Sequence, residues 1–317
     1  MGCAPGALSK LLVEPGIYPD PLIGAFDASS EIYDFNRENI KKHGVLIGGN
    51  AITGTRSSFA NRVREGSYQV GGRIFTYTCA ADLDKWLPRI LGANEAATDT
   101  FKLAELLPSF GVLIDRVSGC FLYRGGMVDT AVWRGQAGPG DGEPELVEQI
   151  LDLQFLSEDS TVSFPATPPM LSTAANRAPY IVADSVLTIG SAFQFHNFVV
   201  VVRNHLQPRW VNSLTPTALC PQDRTVMVRA TFPFTKSSDA VLTGLYQLAA
   251  RNTGVTSTLV LRPSGSAYGT TFKFTGLQWA QTSPVVRGKD EIVLNVDFAA
   301  RKTGADDELV VVNDNTT

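Results

Sequence analysis

The sequence predicts a mainly β fold made of two similar halves, each flanked by one short α-helix. Three observations carry that expectation. Short runs rich in Val, Ile, Thr and Phe recur between polar, Gly- and Pro-bearing breaks, which is how strands read. An amphipathic helical period occurs at only two places, near 82–92 and near 237–250. Finally, the order strand, long polar stretch, strand, helix and further strands occurs twice. An aromatic-x-Gly follows in comparable places, at Tyr123-Arg-Gly125 and Phe274-Thr-Gly276.

Taken in order, residues 1–43 read as an irregular arm, broken by Pro5, Pro15 and Pro19, with a short polar helical stretch around Ser30 to Lys42. Gly44-Val-Leu-Ile-Gly48 is a short strand, 50–69 is polar and arginine-bearing, and Val70 to Thr78 is a strand. Asp82 is the expected N-cap of a helix whose Leu83, Trp86, Leu87, Ile90 and Leu91 share a face. Gly92 stops it and Pro88 lies inside it. Strands are expected at 110–117, 120–124, 127–133 and 147–156, with a Gly/Pro/Asp-rich loop at 135–144 and linker chemistry at 157–180. In the second half, strand 193–203 leads to a polar stretch, 204–224, and an alternating strand, 225–234. Ser237 or Ser238 then caps a helix running to about Ala250. Strands at 257–262, 271–275, 277–282 and 292–298 complete that half. The resulting division is an arm (1–43), a first β unit (44–160), a Pro-rich linker (161–180), a second β unit (181–302) and a polar tail (303–317).

Composition narrows the function. Of 317 residues, 44% are hydrophobic and 18% charged, enough apolar material for real cores. Lys plus Arg is 27 against 31 for Asp plus Glu, a net charge of −4, which disfavours a protein that grips phosphate backbones. Cys3, Cys79, Cys120 and Cys220 form no CxxC pair and are expected to be reduced, incidental thiols. No signal peptide is read at the start. The most apolar run, Phe198 to Val202, is too short to span a membrane, so a protein made in a cytoplasm is expected.

No local signature of chemistry is found. His43, His196 and His205 fall in no metal-ligand spacing, and no G-x-S-x-G elbow occurs. The glycine-rich Gly135 to Gly142 lacks the Lys-Ser/Thr ending of a phosphate loop. Paired acids, Asp82 with Asp84 and Asp306 with Asp307, suit a helix start and a solvated tail. The sequence is therefore read as a non-enzyme with no catalytic residues, cofactor or metal.

Several segments resemble those of the tail tube (major tail) proteins of long-tailed bacteriophages. They are Gly48-Gly-Asn-Ala-Ile-Thr-Gly-Thr-Arg56, Val70-Gly-Gly-Arg-Ile74 leading into the Leu83–Gly92 helix, Phe110-Gly-Val-Leu-Ile-Asp-Arg116, Phe121-Leu-Tyr-Arg-Gly-Gly-Met-Val128, and Glu291-Ile-Val-Leu-Asn-Val-Asp297. The likeness covers roughly residues 44–300; the arm departs from it. It implies a β-sandwich or half-barrel flanked by one helix, with neighbouring subunits joining strands into a ring and rings stacking through loops and arms. Two units in one chain imply a three-chain ring with pseudo-six-fold symmetry rather than a hexamer. The implied partners are further copies of the chain and other tail proteins (tape measure, terminator, baseplate or tip), with no membrane. DNA would pass through a neutral-to-acidic lumen without tight binding, in a virion tail assembled in the host cytoplasm. The polar stretches hold the position of ring-stacking loops. Arg56, Arg62 and Arg64 in one, and Arg209 and Trp210 in the other, are the expected ring-to-ring contacts, since Arg and Trp anchor interfaces. The alternatives are another non-enzymatic virion component, such as a decoration, neck or carbohydrate-binding β module, and a hydrolase.

Overall fold

A computed structural model describes residues 8–15, 26, 30–48, 62–95, 98–138, 145–167, 174–234, 245–246, 254–280, 283–284, 292–304 and 307–315. In chain order the strands begin with β1 (Lys10–Pro15), β2 (Glu31–Tyr33), β3 (Arg37–Glu38), β4 (Lys41–His43), β5 (Leu46–Gly48), β6 (Val63–Glu65) and β7 (Gln69–Tyr77), followed by helix α1 (Ala80–Leu91). Then come β8 (Gly92–Glu95), β9 (Thr100–Leu103), β10 (Phe110–Asp115), β11 (Cys120–Gln136), β12 (Glu148–Phe155) and β13 (Ser157–Asp159). The remainder is β14 (Ser185–Ile189), β15 (Ser191–Phe193), β16 (Asn197–Arg203), β17 (Gln207–Arg209), β18 (Ala218–Cys220), β19 (Thr225–Pro233), β20 (Val255–Leu261), β21 (Gly269–Trp279), β22 (Val293–Ala300) and β23 (Leu309–Asp314). Strand is the dominant state, as composition and pattern predict. Every strand pairing is antiparallel, and α1 is the only α-helix among the described residues.

The helix forms because Leu83, Trp86, Leu87, Ile90 and Leu91 recur on one face and are all buried. It ends at Gly92, which is left-handed at φ 98° and whose N–H donates to the Pro88 carbonyl. A Cβ there would lie 2.6 Å from the Leu106 carbonyl oxygen. The start differs from expectation. Extended Cys79 precedes Ala80, and Asp82 is a first-turn residue rather than the cap. Its carboxylate instead accepts from Arg177 Nη2 at 2.6 Å, a partner 95 residues away that local spacing cannot announce.

Both chain ends depart from the sequence reading. The described part of the arm is largely strand and holds no helix at 30–42. Leu11, Leu12 and Val13 are fully buried in β1, which is sandwiched between β10 and β2. The apolar run is short and flanked by Pro and Gly, so only its tertiary partners reveal it as a strand. The polar tail likewise contains β23, with Leu309 and Val311 buried, hydrogen-bonded between β21 and β9. The hairpin of β8 and β9 and the hairpin of β14 and β15 were also not anticipated. Within 161–180, Tyr180 is buried and bonded to Thr78 through the main chain, so this stretch is anchored to the fold. The second predicted helix, 237–250, lies outside the described residues apart from Leu245 and Tyr246.

Two predicted strand breaks do not exist. The 120–124 and 127–133 segments are one strand, β11, and the 271–275 and 277–282 segments merge into β21 as far as Trp279. The glycines mark a change of partner rather than a break. Up to Gly126, β11 pairs with β10 and β13; from Met127 on, with β12 and β16. Before Gly276, β21 pairs with β20 and β23; beyond it, with β22 and, at Leu277 alone, still with β20. Gly125 is left-handed at φ 61°, and a Cβ on Gly276 would lie 2.9 Å from the Arg301 carbonyl oxygen, so both positions favour glycine.

The pairing scheme of the first half recurs in the second with matching register. Tyr77 opposes Glu148, and Pro233 opposes Val293, shifts of 156 (233 − 77) and 145 (293 − 148). The same 145 carries Val112 to Ser257, and 151 (274 − 123) carries Tyr123 to Phe274, the pair each opposes. A shift of 160 (197 − 37) carries Arg37, opposite Phe75, to Asn197, opposite Thr231. It carries His43, opposite Gln69, to Arg203, opposite Thr225. Leu11 with Tyr33 matches Leu187 with Phe193, and Tyr123 with Glu158 matches Phe274 with Leu309.

One apolar core runs beneath both halves. Tyr33, Trp86, Phe110 and Phe155 form a chain of tilted and edge-on rings in the first half. Phe193, Phe232, Phe298 and Trp279 form one in the second. Trp133 and Phe272 meet across them with centroids 5.1 Å apart.

The helix is tied to β2 by a buried cation. Arg89, 6% exposed, donates to Glu31 Oε2 at 2.8 Å and to Tyr33 Oη at 3.0 Å. Burial pushes the Glu31 carboxyl up, but Arg89, Tyr33 and Lys85 outweigh it and hold the group below its ordinary 4.5. Glu31→Ala leaves a buried guanidinium without its carboxylate and is expected to cost about 3–5 kcal/mol in urea unfolding. Because the folded pKa is depressed, the Glu31 contribution is present at neutral pH and lost as pH falls through that folded value. The stability gap between wild type and Glu31→Gln should therefore close in acid.

Candidate assembly interface

Two hairpins project from equivalent places in the sheet. The β5–β6 hairpin leaves between β4 and β7, and the β17–β18 hairpin leaves between β16 and β19. Their registers correspond as well: Ile47 opposite Arg64 and Gly48 opposite Val63 match Gln207 opposite Cys220 and Pro208 opposite Leu219, by the same 160 and 156. The root of the first meets the loop of the second, where Tyr68 N–H donates to the Leu214 carbonyl at 2.9 Å.

The second hairpin is firmly seated. Leu206 and Leu219 pack with Leu107 and Met127, and Leu206 N–H donates to Asp129 Oδ1 at 2.7 Å. Buried Asn204 donates its amide to the carbonyls of Ile90 (3.1 Å) and Val128 (3.0 Å), joining the hairpin base to the helix. What emerges from this base is apolar and wet: Trp210 is 40% exposed, with Val211 and Leu214 exposed beside it. On the first hairpin Leu46 is 73% exposed, with Val45, Ile47 and Val63 also exposed. Clustered exposed apolar side chains on projecting elements mark contact surfaces.

Of the expected contact residues, Arg62 and Arg64 lie in the first hairpin, both exposed, with Arg64 opposite Ile47. Arg209 ends β17, where its carbonyl accepts from Thr217 N–H and Oγ1, and Trp210 follows it. Arg56 lies outside the described residues. The five are thus divided between two equivalent hairpins, as far as they are described. The apolar residues beside them were not singled out. Gly44 to Gly48 is legible as a strand, but an apolar strand carries no signal that it stays uncovered.

A second feature is an edge. β16 is paired on both sides, by β19 and by β11. Its counterpart, β3 with β4, is paired by β7 alone among the described residues. Lys41, Lys42 and His43 are exposed along it, the charged dressing common on edge strands. Its middle is capped by side chains. Arg116 donates to Glu38 Oε1 (2.8 Å), Glu38 Oε2 (3.0 Å) and the Ile40 carbonyl (2.6 Å). Ile40 N–H donates to Glu38 Oε2 at 2.8 Å, and Tyr123 Oη reaches the same carbonyl at 3.2 Å. Burial lowers the Arg116 pKa, but Glu38 more than reverses this and raises it. The Tyr123 hydroxyl is pushed up to about 12, mainly by burial.

Elsewhere, Cys79, Cys120 and Cys220 are free thiols, with Cys79 raised to about 12 by burial. Among the described residues no group of three or more His, Cys, Asp or Glu could hold a metal ion, and no helix is long and apolar enough to cross a membrane.

The exposed apolar side chains of the first hairpin predict a clean separation of effects. Leu46→Ser with Ile47→Ser should change unfolding free energy by no more than about 0.5 kcal/mol, as expected for surface positions. A loss beyond about 2 kcal/mol in denaturant would show instead that the fold buries them. No protein-family model matches this chain, and no curated protein is significantly similar to it.

Proposed function

We propose that the chain is a structural subunit that polymerises into stacked rings, forming the hollow tail tube of a long-tailed bacteriophage through which DNA passes. In this reading the two halves are copies of one β unit, and the matching ladder registers support that. The observation that carries the proposal is the unmatched pairing. Within the chain, β11 of the first half completes the edge of β16; nothing described completes the equivalent edge, β3–β4. A neighbouring copy that supplies a strand of its own would complete it in the same way. That contact is head-to-tail, and such contacts generate closed rings when the rotation closes. Two units per chain give three chains and six quasi-equivalent units per ring. The two hairpins, with their exposed apolar side chains, leave the sheet at equivalent positions and would meet the adjacent ring.

Electron micrographs of the purified chain, alone or seeded with tail components, should show hollow tubes with three chains per ring; six chains per ring would contradict the two-unit reading. The edge gives a sharper test. Alternation along β16, where Asn204 N–H reaches Asp129 on β11, assigns the Lys42 N–H to the open side of β4. Lys42→Pro removes that donor without removing a bond to β7. The variant should fold and remain a monomer; tubes formed by it would refute edge completion.

A further inference from the structure

On the side of the sheet away from the core, cross-strand neighbours form rows. The middle row is largely apolar: Phe75, Ile150, Val132, Val201 and Met227. Charged rows run on either side of it. In one, Arg73 stands directly opposite Asp152, bonded at 2.9 Å; in the other, Arg229 stands directly opposite Asp297, also bonded. These are equivalent positions: 73 and 229 differ by 156, 152 and 297 by 145, the same shifts that relate β7 to β19 and β12 to β22. Their neighbours are not alike, since Phe75 corresponds to Thr231, Tyr77 to Pro233 and Ile150 to Asn295.

Stability does not explain why this pair alone is matched. Arg73 is 56% exposed and Arg229 60%, and exposed ion pairs contribute about 0–1 kcal/mol. The surroundings point to a polyanion. This face carries five guanidinium groups, with Arg37, Arg134 and Arg203 added to these two, against the four carboxylates of Asp129, Glu148, Asp152 and Asp297, on a chain of net charge −4. It is more basic than the neutral-to-acidic wall that the family resemblance implies.

We infer that this face is the wall past which duplex DNA moves, and that Arg73–Asp152 and Arg229–Asp297 are equivalent rungs, each a cation held neutral by its carboxylate. The choice of face rests on the tube reading. Each guanidinium keeps N–H groups that can touch a passing phosphate, while the carboxylate opposite cancels the charge that would hold it. A three-chain ring carries six such rungs. The wall guides a polyanion without retaining it.

The test is binding of a short labelled duplex to the soluble chain, followed by fluorescence anisotropy across a salt series. Asp152→Asn with Asp297→Asn should bind at least about tenfold tighter than wild type at low salt. Its salt dependence should steepen by about 2, on the order of 0.9 per added phosphate contact. Arg73→Gln with Arg229→Gln should bind no better than wild type. Asp159→Asn with Asp307→Asn makes the same charge change away from this face and should leave affinity at the wild-type level. If the rung variant binds no tighter than this control, the inference is overturned. Should the double variant fail to melt cooperatively, Asp297→Asn alone, at a side chain 62% exposed, gives the same comparison. Micrographs of the same samples separate the two readings. Tubes without the DNA effect remove only the rungs, and the DNA effect without tubes removes only the tube.

Discussion

Main-chain N–H and C=O groups on the rim of a sheet must find partners, and that constraint organises this molecule. A sheet that neither closes on itself nor ends in a covered strand leaves a template for pairing. Here the rim of β16 is satisfied from within the chain, and among the described residues the rim of β3–β4 is not. The lone chain meets part of the demand with Glu38 and Arg116, which occupy the N–H and carbonyl of Ile40 much as a neighbouring strand would. The surrounding lysines discourage casual pairing by charge. On the tube reading, the same few residues would shield this rim in the single chain and meet the neighbouring copy in the ring.

The hairpins answer a different demand. They leave the sheet at its two equivalent gaps and carry apolar side chains outward, where water is an unfavourable neighbour. Burying such side chains against another copy returns roughly 25 cal/mol per Å² of apolar area, whereas the arginines beside them add geometry more than energy. In the proposed tube, lateral contacts through main-chain hydrogen bonds and axial contacts through these apolar side chains would be separable in one subunit. The third surface, the outward face of the sheet, spends its charge on local neutralisation.

Much of this was legible in the letters. The helix from Leu83 to Leu91, strand β7 and the alternating strand β19 follow from period and punctuation alone. Tyr123-Arg-Gly125 and Phe274-Thr-Gly276 are visible as related signals, though their meaning, a change of strand partner within an unbroken strand, is not. The buried strands at the two ends escaped because Leu11–Val13 and Leu309–Val312 are short apolar runs in polar, Pro- or Asp-bearing company, and only distant partners make them strands. The projecting hairpins were found as stretches, and Arg64, Arg209 and Trp210 as their residues, yet the exposed Leu46 and Ile47 look in sequence like any core pair. The open edge was invisible, since exposure of a main chain leaves no mark on residue type beyond the lysines.

The last strand has a consequence for the life of the chain. β23 is wedged between β21 and β9, and Asn313 donates its amide to the Ala80 carbonyl, 233 residues upstream, at the start of the helix. Contacts so remote in sequence close late and slowly. They also cannot form until residues 309–313 have left the ribosome, so any fragment that stops short of β23 lacks the strand wedged between β9 and β21.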